Sequence, residues 1–563
     1  MTPEAESALE RIATGETPSE LESETLDFKQ DARSAKESMA MAADAAICFA
    51  NAQGGSIVIG VVDSMAGPSA LVGTKLDPLA IKQQIYELSR PPLLVDVAEH
   101  PIAGVRLVVV TVPSGVEIHS DTQGRVKHRV GRACLPMTAQ HQALRQEERN
   151  GIDWSSQASH MSTSDIDPEA VDEARGRLRL LGDERRLLAD RSDMELLRGL
   201  GTVDGQDQLL RAGEALFCSR SEDQPWIVYQ YRPSPGGEAS AVERLSGTPA
   251  TALDRLTELV WDRRHTTPLT LANGSQIEVP DFPREAVREA VANALLHRDM
   301  RIDRPVSVEH SPDMFIVESP GRLVAGINET NILTHPSKPR NPCLFQAARK
   351  LGIAEDTGRG VDRIYRALLR SGRDIPAITQ TTDTTRVAFV GGTPRTQVVE
   401  FIAVLNPADR DDVDVLLVIS MLLAHRTITE ATLAPFIQKQ PSEAGAVLNR
   451  LAADDLGIIE ATLDTRSMRK PTYRLRASAL RSLGSAVVYH RHAIDDADSK
   501  VIAHINDYGR INNRTVQNLF NINASRASTL LRRLQQQGLL VKTSTQQRGP
   551  GVEYGPGPNF PTR

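Results

Sequence analysis

The run REAVREAVANALLHRD at residues 284–299 leaves this chain the least freedom. Ala286, Val287, Ala290, Val291 and Ala294 recur at helical spacing, so a helix with one buried stripe is predicted over Arg284–His297. Glu289 and Asn293 stand four residues apart and share a face of that helix. An amide oxygen is a hard ligand suited to Mg²⁺, and a carboxylate beside it can orient or deprotonate a water. Alone, E-x-x-x-N is a weak signal, because an exposed polar face often produces it. The downstream context sharpens it. Val306–Val308 and Phe315–Val317 read as strands; ESPG (318–321), RNP (340–342) and EDTGRGV (355–361) follow, the last opening a helix through Leu369. A Gly-x-Gly before a helix lets backbone amides approach phosphates.

These four segments, in this order over about 110 residues, resemble the ATP-binding fold of the GHKL group (gyrase, Hsp90, histidine kinase, MutL) in its divergent bacterial version. The resemblance implies an α/β sandwich that binds ATP and Mg²⁺. It makes Glu289 the water-activating base of a weak ATPase and Asn293 the Mg²⁺ ligand. It places Glu318 and Gly321 near the adenine, and Thr357, Gly358 and Gly360 near the phosphates. Glu-Ser-Pro-Gly stands where typical members carry Asp-x-Gly-x-Gly.

A second set of segments lies at the other end of the chain. ESETLDFK (22–29), CFANAQGG (48–55), IGVVD (59–63) and HRVG (128–131) stand in order. They resemble the AlbA-like domain shared with Schlafen proteins. Physically, Ala-Asn-x-x-Gly-Gly ends a helix and turns into a strand, the glycines supplying unusual backbone angles. Some Schlafen members are metal-dependent nucleases with three carboxylates. Carried over, those positions are Glu22, Asp27 and Asp63, with Lys29 beside them. Asp27 replaces the family's Glu, and Val62 replaces an acid. Arg125, Lys127, Arg129 and Arg132 read as a phosphate-facing strand.

The C-terminal third reads as two winged helix-turn-helix units. In the second, Val501, Ile502 and Ile505 face one way on a first helix, a short helix runs to Leu519, Ala524–Gln537 is a longer helix, and Gly538 ends it before a strand and wing. From Lys500 onward there are nine Lys or Arg against Asp507 and Glu553, in a chain whose net charge is −7. Asn523, Ser525, Arg526, Arg532, Arg533, Lys542 and Arg548 are the expected DNA contacts. The first unit repeats the plan with Val413–His425, Thr429–Gln438 and Pro441–Asp454, and is less basic.

At 563 residues the chain calls for about three to five domains. The expected organisation is multidomain α+β. A polar lead-in (1–21) precedes the AlbA/Schlafen-like α/β domain (22–150) and a linker (151–166). An α+β region (167–391) holds the GHKL-like core (283–391). A connector (392–409) leads to winged helices at 410–480 and 496–556. Cys48, Cys134, Cys218 and Cys343 form no C-x-x-C pair, which argues against a zinc ribbon or a disulfide framework and fits a reducing cytosol. His119, His128 and His335 are isolated and read as non-ligands. No signal peptide or membrane span is expected, so a cytoplasmic location is, and the absence of G-x-x-x-x-G-K-[ST] excludes a P-loop helicase.

Three readings of function stand side by side. The first is an ATP-responsive DNA-binding transcriptional regulator, acting as a homodimer because winged-helix proteins often read paired half-sites. The second is a metal-dependent nuclease on RNA or DNA. The third is an interaction scaffold with an inert GHKL-like fold.

Overall fold

The computed structural model describes residues 2–563 apart from 103, 116, 150, 235, 272, 355–359, 382, 454–455, 463–464, 488–497, 499–500, 503, 506–508, 521–523, 545, 547–551 and 562–563. Two units emerge: 1–263 with 287–361 and 377–389, and 264–286 with 362–376 and 390–563.

In the first unit the alternation of Val and Ile builds a four-stranded sheet. Its order is Leu26–Lys29, Gly55–Ile59, Val105–Val112, Asp96–Ile102. The first pair is parallel and the others antiparallel. Successive strand residues point to opposite faces. Ile57, Ile59, Val108 and Val110 therefore pack with Ala42, Ala46 and Phe49 of the helix Ala35–Ala50. Val58, Leu107 and Val109 enter a second core on the other face. That second core corrects the expectation of a polar lead-in. Ala5, Ala8, Leu9 and Ile12 lie at i, i+3, i+4 and i+7 of the helix Pro3–Thr14, and all four are buried there. The stripe is short and half alanine, which hid it among the surrounding acids.

Further along the same unit a six-stranded sheet runs Ala241–Leu245, Ile227–Tyr231, Val306–Ser311, Met314–Pro320, Thr384–Val390, Ala377–Gln380. Val306–Ser311 lies parallel to Ile227–Tyr231 and antiparallel to Met314–Pro320. The helix Arg284–His297 forms over the predicted span, and its whole apolar stripe is buried. The polar segment read as a linker is also packed: Ser155 is fully buried, and Asp153 and Ser155 accept from the backbone N–H groups of Cys343 and Leu344.

Cys48 and Cys134 are joined by a disulfide, which overturns the expectation of four free thiols. The antiparallel hairpin Lys127–Val130/Ala133–Pro136 folds over the end of the helix Ala35–Ala50, bringing the two Cα atoms to 6.0 Å across a separation of 86 residues. Spacing along the chain carries no trace of such a contact. Cys218 and Cys343 are free thiols, each pushed up to about 11 by burial.

In the second unit, the helices Val413–Ala424, Glu430–Phe436 and Pro441–Ala452 precede the antiparallel pair Ile459–Ala461/Tyr473–Leu475. Ile428 bridges to Tyr473 beside that pair. Farther on, the helices Asn513–Phe520 and Ala524–Gln536 are followed by a sheet ordered Ile511–Asn512, Glu553–Pro556, Leu540–Lys542. Val501, Ile505, Val516, Ala527, Leu531, Leu534 and Leu540 form its core. Gly538 ends the longer helix at φ +72°, where an L side chain would be strained and would also meet Asn559. No helix of the described residues is long and apolar enough to cross a membrane.

Candidate functional site

The packing of the helix Arg284–His297 decides which of its polar groups are available. Glu289 is only 6% exposed, so it is not part of a solvated face. Asn293, one turn later, is half-buried. Gly360, the first residue of the helix Gly360–Arg370, lies directly against both. A Cβ added at Gly360 would stand 2.2 Å from Glu289 Oε1 and 3.0 Å from Asn293 Nδ2. A side chain there would have to push the ends of the Glu289 and Asn293 side chains aside. A helix N-terminus is drawn up to a carboxylate and an amide, an arrangement suited to a phosphate and its Mg²⁺. Thr357 and Gly358 lie outside the described residues.

The other two motifs organise the far end of the helix. Asn341 of RNP is 1% exposed and donates Nδ2 to the carbonyls of Leu296 and Arg298 at 2.9 and 3.0 Å, satisfying helix-end acceptors. Ser319 donates its hydroxyl to the carbonyl of Ala294 at 2.8 Å. Gly321 takes φ +100°, and a Cβ there would stand 2.9 Å from the Asp299 Cβ. Buried Asp299 is forked by Arg301, with Arg340 at 3.8 Å, and these cations hold its carboxyl below the usual range despite its burial. His297 is pushed down to about 4 by burial and then by Arg340.

The predicted site residues thus divide. Glu289, Asn293 and Gly360 come together. Gly321 packs instead beyond the C-terminal end of the helix, eight residues or about 12 Å of helix rise past Glu289. Glu318 is half-buried on Met314–Pro320, opposite Ser307. Asp299, Arg340 and Asn341, from the HRD and RNP triplets, organise the C-terminal end of the helix.

In the N-terminal sheet, Asp27 is 2% exposed and faces two cations: Lys29 Nζ at 2.7 Å and Arg129 Nη2 at 3.4 Å. Glu22 accepts from the Phe28 N–H at 3.4 Å. Burial first, and then the neighbouring Asp27, raise its carboxyl above the ordinary range. Asp63 is exposed, its backbone carbonyl accepting from Ser19. Among the described residues no three His, Cys, Asp or Glu side chains gather into a group able to hold a metal. The structure brings Glu22 and Asp27 together with Lys29; Asp63 does not complete a metal-holding set with them.

The expected phosphate-facing strand is corrected. Arg125 pairs with Asp121 and Lys127 with Asp44. Arg129 is 3% exposed, donates to the carbonyls of Ser23 and Leu26, and lies over the Phe49 ring. Arg132 donates to the Ser19 carbonyl. The hairpin folds onto the domain's own core and carries Arg129 inward, while Arg125 and Arg132 remain exposed. Asn51 of the Ala-Asn-x-x-Gly-Gly segment is a pin for that hairpin. Fully buried, it donates to the carbonyls of His119 and Lys127 and accepts from the His119 N–H.

On the helix Ala524–Gln536, Ser525, Arg526 and Arg532 are exposed, while Arg533 is engaged by Asp498. Lys542 is half-buried on the strand Leu540–Lys542. Asn523 and Arg548 lie outside the described residues.

A family model described as "Schlafen, AlbA_2" matches residues 22–138. A second, described as "Putative ATP-dependent DNA helicase recG C-terminal", matches residues 303–389. The chain carries a Schlafen AlbA_2 domain and a RecG C-terminal-type domain. A crystal structure of the DIP2311 protein from Corynebacterium diphtheriae is similar over 85% of this chain and 97% of that one, with 27% sequence identity and a TM-score of 0.52. No curated protein matches the chain. In the AlbA_2 domain, then, the motif residues Asn51 and Arg129 are structural, and the motif helix Arg284–His297 lies wholly before the span that the RecG-type model matches.

Proposed function

We propose that the protein is an ATP-responsive DNA-binding regulator. The observation that carries this reading is the meeting of Gly360 with Glu289 and Asn293. Asn293 would hold Mg²⁺, the amides opening the helix at Gly360 would receive phosphate, and Glu289 would orient a water in a slow ATPase.

DNA reading is assigned to the C-terminal unit. A first helix through Val501 and Ile505, a short helix, the longer Ala524–Gln536 and a three-stranded sheet follow one another in winged-helix order. Ser525, Arg526 and Arg532 on the exposed face of the longer helix suit a major groove, and Lys542 suits a phosphate. The AlbA_2 domain adds nucleic-acid contacts, and pairing of two chains would match paired half-sites.

Titration calorimetry of the full chain with Mg·ATP tests the first half. Binding in the wild type and its loss in Asn293→Ala are expected; equal binding in the variant would remove the ATP site. Selection from random-sequence DNA tests the second half. An enriched motif, with weaker binding and a salt slope reduced by about one in Arg532→Ala, is expected; the absence of any enriched motif would end the regulator reading.

A further inference from the structure

Within the first unit lies a cleft of about 340 Å³, in the size range of small-molecule sites. His128, His141 and Arg145 form one wall, from the hairpin and helix that close the AlbA_2 domain; Arg301, Arg322 and Arg340 form the other. Met137 and Ile302 contribute apolar surface. Glu289, Asn293 and Gly360 do not line it; it opens instead at Asp299 and Gly321, past the end of the motif helix.

We propose that this cleft is a second ligand site, for a small phosphate-bearing molecule of roughly mononucleotide size. Guanidinium groups from two walls match the spread oxygens of a phosphate, which accepts forked hydrogen bonds from Arg. Arg322 is 8% exposed; it donates Nε to Gln380 and Nη2 to Glu24, and its Nη1 has no acceptor. Arg301 forks Asp299 and reaches Glu147 at 2.7 Å.

Three acids, Asp299, Asp303 and Asp383, line the cleft against the four arginines Arg145, Arg301, Arg322 and Arg340. Asp299 is already shared by Arg301 and Arg340, and Asp383 is held by Arg304 at 2.7 Å. Glu24 and Glu147 are partly exposed, so their side chains can turn to solvent when a phosphate takes their places on Arg322 and Arg301. The surrounding field is positive at His128. Burial and then Arg145, His141 and Arg322 push that imidazole down to about 4, with Glu24 opposing. Burial disfavours charge of either sign; the share contributed by Arg145, His141 and Arg322 is what favours an anion. One phosphate leaves most of the volume empty, and the apolar surface of Met137 and Ile302 suits a flat group attached to it.

The test is calorimetric titration of the full chain, without Mg²⁺, with inorganic pyrophosphate, AMP and adenosine. Wild type, Arg145→Ala, His141→Ala and Asn293→Ala are compared, with melting temperature as the control for folding. For the phosphate probes, Kd is expected to rise at least tenfold in Arg145→Ala and in His141→Ala, and to stay unchanged in Asn293→Ala. Should Arg145→Ala fail to fold, His141→Ala carries the test. AMP binding tighter than pyrophosphate marks a nucleotide-type ligand, and the reverse a simple phosphate. No binding at millimolar probe, adenosine binding as well as AMP, or a loss in Asn293→Ala as large as in Arg145→Ala would each overturn the proposal. Because the Mg·ATP titration reports on Asn293, failure here and failure of the ATP site are separable.

Discussion

The Cα of Gly360 lies so near Glu289 that any side chain at that position would have its first carbon 2.2 Å from the carboxylate oxygen Oε1. This contact makes the junction easy to break.

Gly360→Ala is expected to force Glu289 and Asn293 out of place and to abolish binding of Mg·ATP. Calorimetry reads the loss. Because overpacking a tight site typically costs about 1–3 kcal/mol, the variant's denaturation midpoint also falls. Undiminished ATP binding by a folded Gly360→Ala would place the nucleotide elsewhere.

Glu22 supplies a pH prediction. Its carboxyl is raised by burial first and by Asp27 second, against the lowering effect of the Phe28 N–H and Lys29. With its folded pKa above the unfolded value, the native state binds the extra proton. Stability contributed by this group is present below the ordinary carboxylate value of about 4.3 and is lost as pH rises through the raised one. Glu22→Gln is therefore more stable than wild type at neutral pH, and the advantage fades on acidification. Urea denaturation across the acid range checks the sign.

Asn51 makes three hydrogen bonds while fully buried. Asn51→Ala leaves the carbonyls of His119 and Lys127 and the His119 N–H without that partner, at about 1–3 kcal/mol for each group left unsatisfied. A lower denaturation midpoint is expected, with faster amide exchange in the hairpin Lys127–Val130/Ala133–Pro136. A midpoint unchanged by the substitution would show that the Ala-Asn-x-x-Gly-Gly asparagine is not a structural pin.

The Cys48–Cys134 bridge closes a long loop, and such bridges typically stabilise by about 2–4 kcal/mol. A thiol reductant should lower the denaturation midpoint of the wild type and leave that of Cys134→Ser unmoved. Equal response of both proteins would mean that the bridge does not form.

What the sequence determined by itself was local. Helical spacing of Ala and Val set the helix Arg284–His297, the Gly-Gly turn set the start of the strand Gly55–Ile59, and turn residues bounded the C-terminal helices. Glu289 and Asn293 share a face because four residues span one turn. Tertiary packing decided the rest, since charge and spacing do not encode which side chain faces a partner from a distant segment. It turned Arg129 inward to Asp27 and backbone carbonyls and paired Lys127 with Asp44, while Arg125 and Arg132 stay exposed. It joined Cys48 to Cys134, left Asp63 outside any metal-holding set, and folded the acidic first helix into a core. It also drew Gly360 onto Glu289 and Asn293, because the absence of a side chain lets a helix end approach them closely.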